Sequence, residues 1–418
     1  MLIHSASQLV TLAGGPRRGT DPEDPIIIEN GALLIHGERI LEVGESLALL
    51  KKYPHEEQWD ASGKVVMPGL VDPHTHLVWA GDRAAEFEAR LQGSTYMEIM
   101  AAGGGINATV RATREASAEE LYAQTRARAE AMFRSGTTTT EAKTGYGLTF
   151  EAEIAQLEVL LRLDAEGPLE IAPTFMAAHA VPPEYAGRSE EYTRLVSTDM
   201  LPRLKEWWMR HHAARPLPFV DVFCENNAFN LTQTRQILTR AKELGFPLKV
   251  HVDEFENLGG AALAVELGAV SIEHAVKTSP QEIAALGASD TIVVSLPCTP
   301  FGLADAHYTP ARELLAAGGM LAIATDLNPG PSWCENMQFV IALACRYLKI
   351  TPAQALAAAT INAARAIRRD SLIGSLEPGK QADLLILSVS DYRQLAYRFG
   401  GSLVESVIKK GKVIQQSS

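Results

Sequence analysis

Two histidines separated by a single residue, His74 and His76, constrain this chain more than any other feature. They follow an apolar run over residues 65–71, in the segment VVMPGLVDPHTH. Alternate side chains of a β-strand point to the same side, so both imidazoles face one point where the strand leaves the core. Neutral imidazole is the commonest protein ligand for zinc and similar metals. Because two histidines alone do not define a site, the other ligands must come from elsewhere in the chain.

The middle of the chain alternates β-rich apolar runs with segments of helical period. There are eight such runs, at residues 65–71, 137–142, 170–175, 219–223, 247–252, 269–272, 291–296 and 320–324. One intervening helix is predicted to begin at a capping box, Ser117-x-x-Glu120. Eight strands that alternate with helices predict an α/β fold, a (β/α)8 TIM-like barrel. A doubly wound sheet is the alternative, but its glycine-rich loop should follow a strand, and Gly103-Gly104-Gly105 follows an apparent helix.

The two ends of the chain differ in character from the middle. Residues 1–66 and 372–418 contain short β-rich runs around tight turns, such as SVIKKGKVI near the carboxyl end. This pattern predicts a small β-sandwich domain built from both termini, beside a barrel domain of residues 67–371. Two unrelated edge extensions are the alternative.

Composition argues against several classes of partner. The net charge is −12 and no Lys/Arg-rich run is present, so a nucleic-acid partner is not expected. The four cysteines form no CxxC pair, which argues against a zinc knuckle or a disulfide framework. A signal-peptide pattern and an apolar run of about 18 residues are both missing, so we expect a cytoplasmic protein without a membrane partner.

In a barrel, the chemistry lies at the carboxyl ends of the strands, so the residues that follow each apolar run are the candidates for a site. Titratable side chains follow every predicted strand except the seventh. They are His74, His76, Glu141, Lys143, Tyr146, His179, Glu225, His251, Glu254, Glu273, His274 and Asp326. We expect these side chains to surround one site.

A metal centre is the chemistry that this set predicts. The predicted ligands of one divalent metal are His74, His76, His251 and Asp326. The metal would bring the pKa of bound water toward neutrality. Glu254, three residues after His251, is placed to accept a proton from water and to deliver it to a leaving nitrogen. Asp326 is a second candidate for holding that proton, and His274 is placed to hydrogen-bond an oxygen that develops negative charge.

Other residues at the strand ends leave several interpretations open. His179 can be a ligand, a substrate contact or a structural histidine, and we favour the substrate contact. Lys143 is interpreted as an ion-pair partner of Glu141, and Glu225 as a buttress. A metal-binding scaffold without catalysis is the alternative for the whole protein, and Glu254 argues against it, because a scaffold has no need of that carboxylate.

The segment PGLVDPHTH, with histidines after strands 5 and 6 and an aspartate after strand 8, resembles the amidohydrolase superfamily. SLEPGKQADLLIL is similar to the exit from barrel to sandwich in that superfamily. Members with two metals bridge them through a lysine after strand 4, where this chain has CENN. The resemblance therefore implies the branch with one metal, zinc or iron.

Further segments resemble the imidazolonepropionase family within that superfamily. They are HLVWAGDR, EAKTGYGL, MAAHAVPPEY, HVDEFEN and ATDLNPG. The resemblance implies hydrolysis of a ring C–N bond of 4-imidazolone-5-propanoate to N-formimidoyl-L-glutamate, in histidine degradation. It also suggests a homodimer.

The same resemblance implies a set of substrate contacts. Tyr146 and His179 would contact the ring, and Asn328 and Gly330 would contact the substrate or product. Arg83 would hold the carboxylate tail, since a guanidinium fork suits a carboxylate. A surface salt bridge from Arg83 to the nearby Glu86 is the alternative for that arginine.

Two segments depart from the family pattern. After Gly330 the family usually has a small hydroxyl residue, but Pro331 has neither a hydroxyl nor a backbone N–H. Any substrate hydrogen bond from that position is lost unless Ser332 provides it. The strand-7 segment SLPCTPFGLADAHYTP also differs. A related amidohydrolase, such as a deaminase of an aromatic heterocycle, is therefore the alternative enzyme, and ammonia release distinguishes the two.

Overall fold

A computed structural model describes residues 1–20, 25–93, 98 and 103–416. The strands, in chain order, are β1 (Leu2–Val10), β2 (Ile27–His36), β3 (Arg39–Glu45), β4 (Gln58–Asp60), β5 (Val65–Pro68), β6 (Leu70–Asp72), β7 (Thr137–Lys143), β8 (Glu170–Ala178), β9 (Phe219–Cys224), β10 (Leu248–Val252), β11 (Ser271–His274), β12 (Ile292–Ser295), β13 (Leu321–Ile323), β14 (Leu384–Leu387), β15 (Val404–Lys409) and β16 (Lys412–Gln416).

Helices fill most connections of the central sheet. In chain order they are α1 (Ser46–Lys52), α2 (Ala84–Leu91), α3 (Ile106–Glu115), α4 (Ala118–Arg134), α5 (Phe150–Glu166), α6 (Ser189–Leu195), α7 (Leu201–His211), α8 (Leu231–Glu243), α9 (Gly260–Leu267), α10 (Pro280–Gly287), α11 (Cys298–Leu303), α12 (Ala311–Ala316), α13 (Met337–Leu343), α14 (Pro352–Ala358), α15 (Ile361–Ala366) and α16 (Gln394–Tyr397). A 3-10 turn spans Pro183–Tyr185, and π-helical turns span Val196–Met200 and Ala344–Leu348.

The predicted barrel is confirmed. Strands β6 to β13 form one parallel sheet in which each strand pairs with the next along the chain. A parallel bridge between Thr75 and Leu327 joins the ends of the first and last strands, so the sheet nearly closes. The capping box at the start of α4 is also confirmed, because the Ser117 side chain accepts from Glu120 N while Ser117 N donates to the Glu120 carboxylate. These elements bring the carboxyl ends of all eight strands to one face.

The predicted β domain from both termini is one eight-stranded mixed sheet. Its order is β16-β15-β14-β5-β1-β2-β3, with β4 paired to β1. The pairing of β5 with β14 joins the amino-terminal and carboxyl-terminal segments, and it runs antiparallel from Val65 to Pro68. We therefore propose that the boundary between the two domains lies near Gly69, and the division at residues 371 and 372 stays a prediction.

The apolar run over 65–71 was expected to be one strand, and that prediction is wrong. β5 belongs to the terminal sheet, whereas β6 opens the barrel by pairing with β7. Gly69 lies between them, and a Cβ there would sit 2.3 Å from Thr138 Oγ1. Only glycine permits this close approach. An apolar sequence pattern indicates that residues are buried but does not show which sheet they belong to. The sequence therefore could not reveal that the chain changes sheet at Gly69.

The helix predicted before Gly103 falls on residues 94–102, which lie outside the described residues apart from Glu98. Among the residues that the structure describes, none of the helices is both long enough and apolar enough to span a membrane.

Candidate metal centre and active site

The four predicted ligands meet at the carboxyl end of the barrel. His74 Nε2 and His76 Nε2 lie 3.3 and 3.6 Å from Asp326 Oδ1. His251 Nε2 lies 3.3 Å from His76 Nε2. Ligand atoms about 2.1 Å from one tetrahedral zinc ion are about 3.4 Å apart, a spacing that the contacts of His74, His76 and Asp326 approach. His251 also lies in a second compact group of possible ligands, with His74 and His274. All four side chains are buried.

The chemistry of these donors also fits a divalent metal. Within the described part of the chain, the buried His74 Nε2 has no hydrogen-bond partner. Burial, reinforced by neighbouring positive groups and imidazoles, lowers the pKa of His74, His76 and His274 well below the usual value. Neutral imidazole is the form that binds metal. The group of His74, His76 and Asp326 could therefore hold a metal ion.

Two residues of the centre have unusual backbone conformations. Asp326 has φ 52° and His274 has φ 70°, a left-handed region that non-glycine residues seldom adopt. Such strain clusters at functional sites, where the surrounding structure enforces it. The Asp326 carboxylate also accepts a hydrogen bond from Thr299 Oγ1. Strand β12, for which the sequence offered no titratable group, thus contributes through the hydroxyl that follows it.

Glu254 and His274 form a pair beside the four ligands. Glu254 Oε2 lies 3.4 Å from His274 Nε2. Burial raises the pKa of Glu254 well above its usual value, and the charges of Asp326 and Glu225 raise it further. The segment that carries Glu254 is held by Glu225, whose Oε2 accepts from Phe255 N at 2.9 Å. Glu225 therefore acts as the buttress that the sequence predicted, and it fixes the segment that carries Glu254 beside the candidate ligands.

His179 and Tyr146 line one side of the centre. The His179 ring stacks on His76 with centroids 4.7 Å apart and planes at 18°. Its Nδ1 lies 3.0 Å from Gly145 O, and burial lowers its pKa to about 3. The Tyr146 ring lies 5.3 Å from that of His179. Burial also raises the pKa of the Tyr146 hydroxyl, so both groups are neutral donors or acceptors at physiological pH.

Arg83 lies against the loop that follows β13. A Cβ at Gly330 would be 3.0 Å from Arg83 Nη1 and 3.1 Å from Asn328 Oδ1. Gly330 N donates to Asn328 Oδ1 at 2.8 Å, which fixes the loop. Arg83 Nε donates to Thr109 Oγ1 at 2.9 Å. Across the described residues no ion pair joins Arg83 to a carboxylate, and Glu86 accepts from Gly105 N instead.

Known proteins similar to this chain identify its family. The model of the amidohydrolase family matches residues 65–414. The chain is 49% identical to an imidazolonepropionase of Herpetosiphon aurantiacus, covering 100% of this chain and 97% of that protein. It is also 49% identical to an imidazolonepropionase of Chloroflexus aggregans, with 99% and 98% coverage. The chain belongs to the imidazolonepropionases of the amidohydrolase family.

Solved structures of other amidohydrolases share the fold. A 5-methylcytosine deaminase from Klebsiella pneumoniae matches with a TM-score of 0.74 at 18% identity, covering 100% of this chain and 98% of that one. An adenosine deaminase from Xanthomonas campestris with bound zinc matches with a TM-score of 0.69 at 20% identity, with 99% and 92% coverage. At these identities the likeness concerns the barrel and its companion sheet alone.

Ser332 does not compensate for Pro331 in this imidazolonepropionase fold. Ser332 Oγ donates to Thr325 O at 2.7 Å, and the residue is buried. The Pro331 carbonyl packs against α11, where a Cβ at Gly302 would approach it to 1.8 Å. The Ser332 hydroxyl is therefore used inside the loop, where it holds the chain against Thr325.

Two charged residues inside the barrel escaped the sequence analysis. Asp221 Oδ1 lies 3.0 Å from His251 Nδ1, and Lys249 Nζ lies 2.9 Å from Glu273 Oε1. A signal existed, because an aspartate in FVDVFC and a lysine in LKVHV are charges inside apolar strands, and buried charges are paired. The interpretation of Lys143 was incomplete, since it contacts Asp221 at 2.9 Å as well as Glu141 at 2.7 Å.

Proposed function

We propose that the chain hydrolyses the ring C–N bond of 4-imidazolone-5-propanoate with water, giving N-formimidoyl-L-glutamate in histidine degradation. The observation that carries this proposal is the cluster of candidate ligands, His74, His76, His251 and Asp326, beside the Glu254–His274 pair. The names of the relatives point to the same reaction.

His74, His76, His251 and Asp326 would hold one divalent ion, zinc or iron, since both metals accept nitrogen and carboxylate ligands. A metal held there supplies Lewis-acid activation of water near neutral pH. The zinc bound in the Xanthomonas campestris neighbour supports a metal in this fold.

Glu254 would carry the proton in this reaction. The carboxylate takes a proton from the attacking water, whose oxygen adds to the ring carbonyl carbon. It then delivers that proton to the leaving ring nitrogen. The carbonyl carbon thus gains the hydroxyl of water, and the nitrogen gains its hydrogen. His274, 3.4 Å from Glu254, hydrogen-bonds the oxygen that develops negative charge. Asp326 is the alternative holder of the proton.

The remaining residues would bind the substrate. Arg83 would hold the propanoate through a charge-assisted fork, and its hydrogen bond to Thr109 orients the guanidinium. Tyr146 and His179 would contact the ring, while Asn328 and Gly330 would contact the polar edge of the substrate or product. Orienting both ends of a small substrate keeps its scissile bond over Glu254.

The test is an assay of the purified, metal-loaded chain with freshly generated 4-imidazolone-5-propanoate. Loss of ultraviolet absorbance, product mass and ammonia are measured together. We expect the gain of one water without ammonia. Turnover that releases ammonia would favour a deaminase, and no turnover with one metal per chain would reject this substrate.

We further propose that the enzyme works in the cytoplasm. The homodimer suggested by the family resemblance stays a prediction, and sedimentation velocity of the metal-loaded chain tests it.

A further inference from the structure

A buried carboxylate in β9 joins a lysine to one candidate metal ligand. Asp221 Oδ1 lies 3.0 Å from His251 Nδ1, and its other oxygen, Oδ2, lies 2.9 Å from Lys143 Nζ. Asp221 Oδ1 also accepts from His251 N at 3.2 Å. Each carboxylate oxygen therefore has a contact of its own, a hydrogen bond for Oδ1 and an ion pair for Oδ2, and rotation of the buried carboxylate would break one of them.

The same arrangement occurs a second time on neighbouring strands. Glu273 Oε2 lies 2.8 Å from His74 Nδ1, while Oε1 lies 2.9 Å from Lys249 Nζ and accepts from Ser271 Oγ at 2.6 Å. His74, Lys249 and Glu273 are all buried. The barrel thus contains two lysine–carboxylate–histidine triads, and both point at the candidate metal centre.

We propose that Asp221 and Glu273 are positioning residues that set which ring nitrogen of His251 and His74 faces the metal. A carboxylate paired with a lysine accepts hydrogen bonds and donates none, so the imidazole nitrogen that faces it must carry the hydrogen. A neutral imidazole has one such hydrogen, and its Nε2 lone pair is then directed at the centre. Lys143 and Lys249 hold the carboxylates in that orientation. The inference rests on the metal site proposed above.

The third histidine provides an internal comparison. His76 Nδ1 is buried and has no hydrogen-bond partner among the described residues. Its ring is held instead by stacking on His179, with centroids 4.7 Å apart. The protein therefore fixes the tautomer of two ligands through carboxylates and leaves the third to be fixed by the metal.

The first test measures zinc affinity by competition with a fluorescent chelator. Asp221→Asn and Glu273→Gln preserve shape but remove the acceptor-only carboxylate, and we expect zinc binding about 10–100-fold weaker in each. The matched control is Asp383→Asn, which alters a buried, lysine-paired carboxylate at the opposite end of the barrel. Its zinc affinity should equal that of the wild type.

The second test needs no substitution. Zinc-loaded wild-type chain labelled with 15N-histidine should show slowly exchanging Nδ1–H signals from His74 and His251. Nε2–H signals from these two residues would overturn the inference, whether or not the carboxylate variants fold.

The outcomes separate the two proposals. A wild-type chain that binds no zinc or iron would reject the metal site and this inference with it. Tight zinc binding that is unchanged in both carboxylate variants would reject the positioning role alone. An equal loss in Asp383→Asn would also reject it, because general destabilisation would then explain the result.

Discussion

The two ends of the barrel both bury a lysine against carboxylates, yet the two clusters serve different purposes. At the carboxyl end, Asp221 contacts Lys143 with one oxygen and His251 with the other. At the amino end, Lys409 Nζ lies 2.6 Å from both Glu170 Oε2 and Asp383 Oδ2.

The difference lies in what else the carboxylates contact. Asp383 Oδ2 accepts from Gln381 Nε2 at 2.8 Å, and Asp383 Oδ1 accepts from Lys410 N at 2.9 Å. These partners belong to the terminal sheet and its entry segment, so the cluster fastens that sheet to the start of β8. The role of a buried ion pair therefore depends on what else its carboxylate contacts. This agrees with the general pattern of such barrels, in which the carboxyl end carries the active site and the amino end contributes stability.

The largest effect is expected from His251→Ala at the carboxyl end. Removing a ligand opens the coordination and leaves Asp221 without its imidazole, so metal and turnover should be lost together. Metal content and activity of the purified variant measure this. His211→Ala, at an exposed helix end, is the matched control and should retain both. Full metal content in His251→Ala would show that the ligand set is wrong.

Glu254→Gln should separate catalysis from metal binding at the same end. The amide keeps the shape of the side chain but cannot take a proton, so kcat should fall about 10²–10⁴-fold. Metal content should match the wild type, because Glu254 is not among the four ligands. Loss of metal in this variant would contradict the assignment of proton transfer to Glu254 and of metal binding to His251.

Lys409→Met should affect stability without affecting the metal. The substitution leaves the buried Asp383 without its cation and removes one of the two lysines that pair with Glu170, which costs about 3–5 kcal/mol. Denaturant unfolding of the metal-loaded chain measures the loss, and Lys51→Met on the exposed face of α1 should change stability by less than about 0.5 kcal/mol. Weaker zinc binding in folded Lys409→Met would show that the cluster at the amino end also affects the metal site, contrary to this prediction.

The catalytic end was easier to predict from sequence than the structural end. His74, His76 and Asp326 follow apolar runs whose order along the chain also orders them around a barrel, so their convergence could be anticipated. The triads could not, since the role of Asp221 depends on His251 on the adjacent strand and on Lys143 two strands away. The same holds for Lys409, which meets Glu170 from 239 positions away. Contacts between side chains of distant segments depend on the register of the strands that carry them. The sequence pattern does not show this register, so these contacts could not be predicted.

Arg83→Ala should weaken substrate capture with a smaller effect on the chemical step. A charge-assisted hydrogen bond contributes about 1.5–3 kcal/mol, so KM for the carboxylate-bearing substrate should rise roughly 10–100-fold. Arg83→Lys keeps the charge but loses the planar fork, and its KM should lie between the two. Unchanged KM in Arg83→Ala would remove this arginine from the site.

The smallest effect is expected from lowering the pH, and it concerns Glu170 at the amino end of the barrel. Burial by itself would raise the pKa of Glu170, but the charge and hydrogen bond of Lys409 outweigh burial and lower it to about 2. An unfolded glutamate titrates near about 4.3, so the stabilisation by ionised Glu170 is complete above that pH. It should be lost progressively as the pH falls from about 4.3 to about 2. The difference in melting temperature between metal-free wild type and Glu170→Gln should shrink across this range. A constant difference would show that Lys409 does not hold Glu170 in its ionised form.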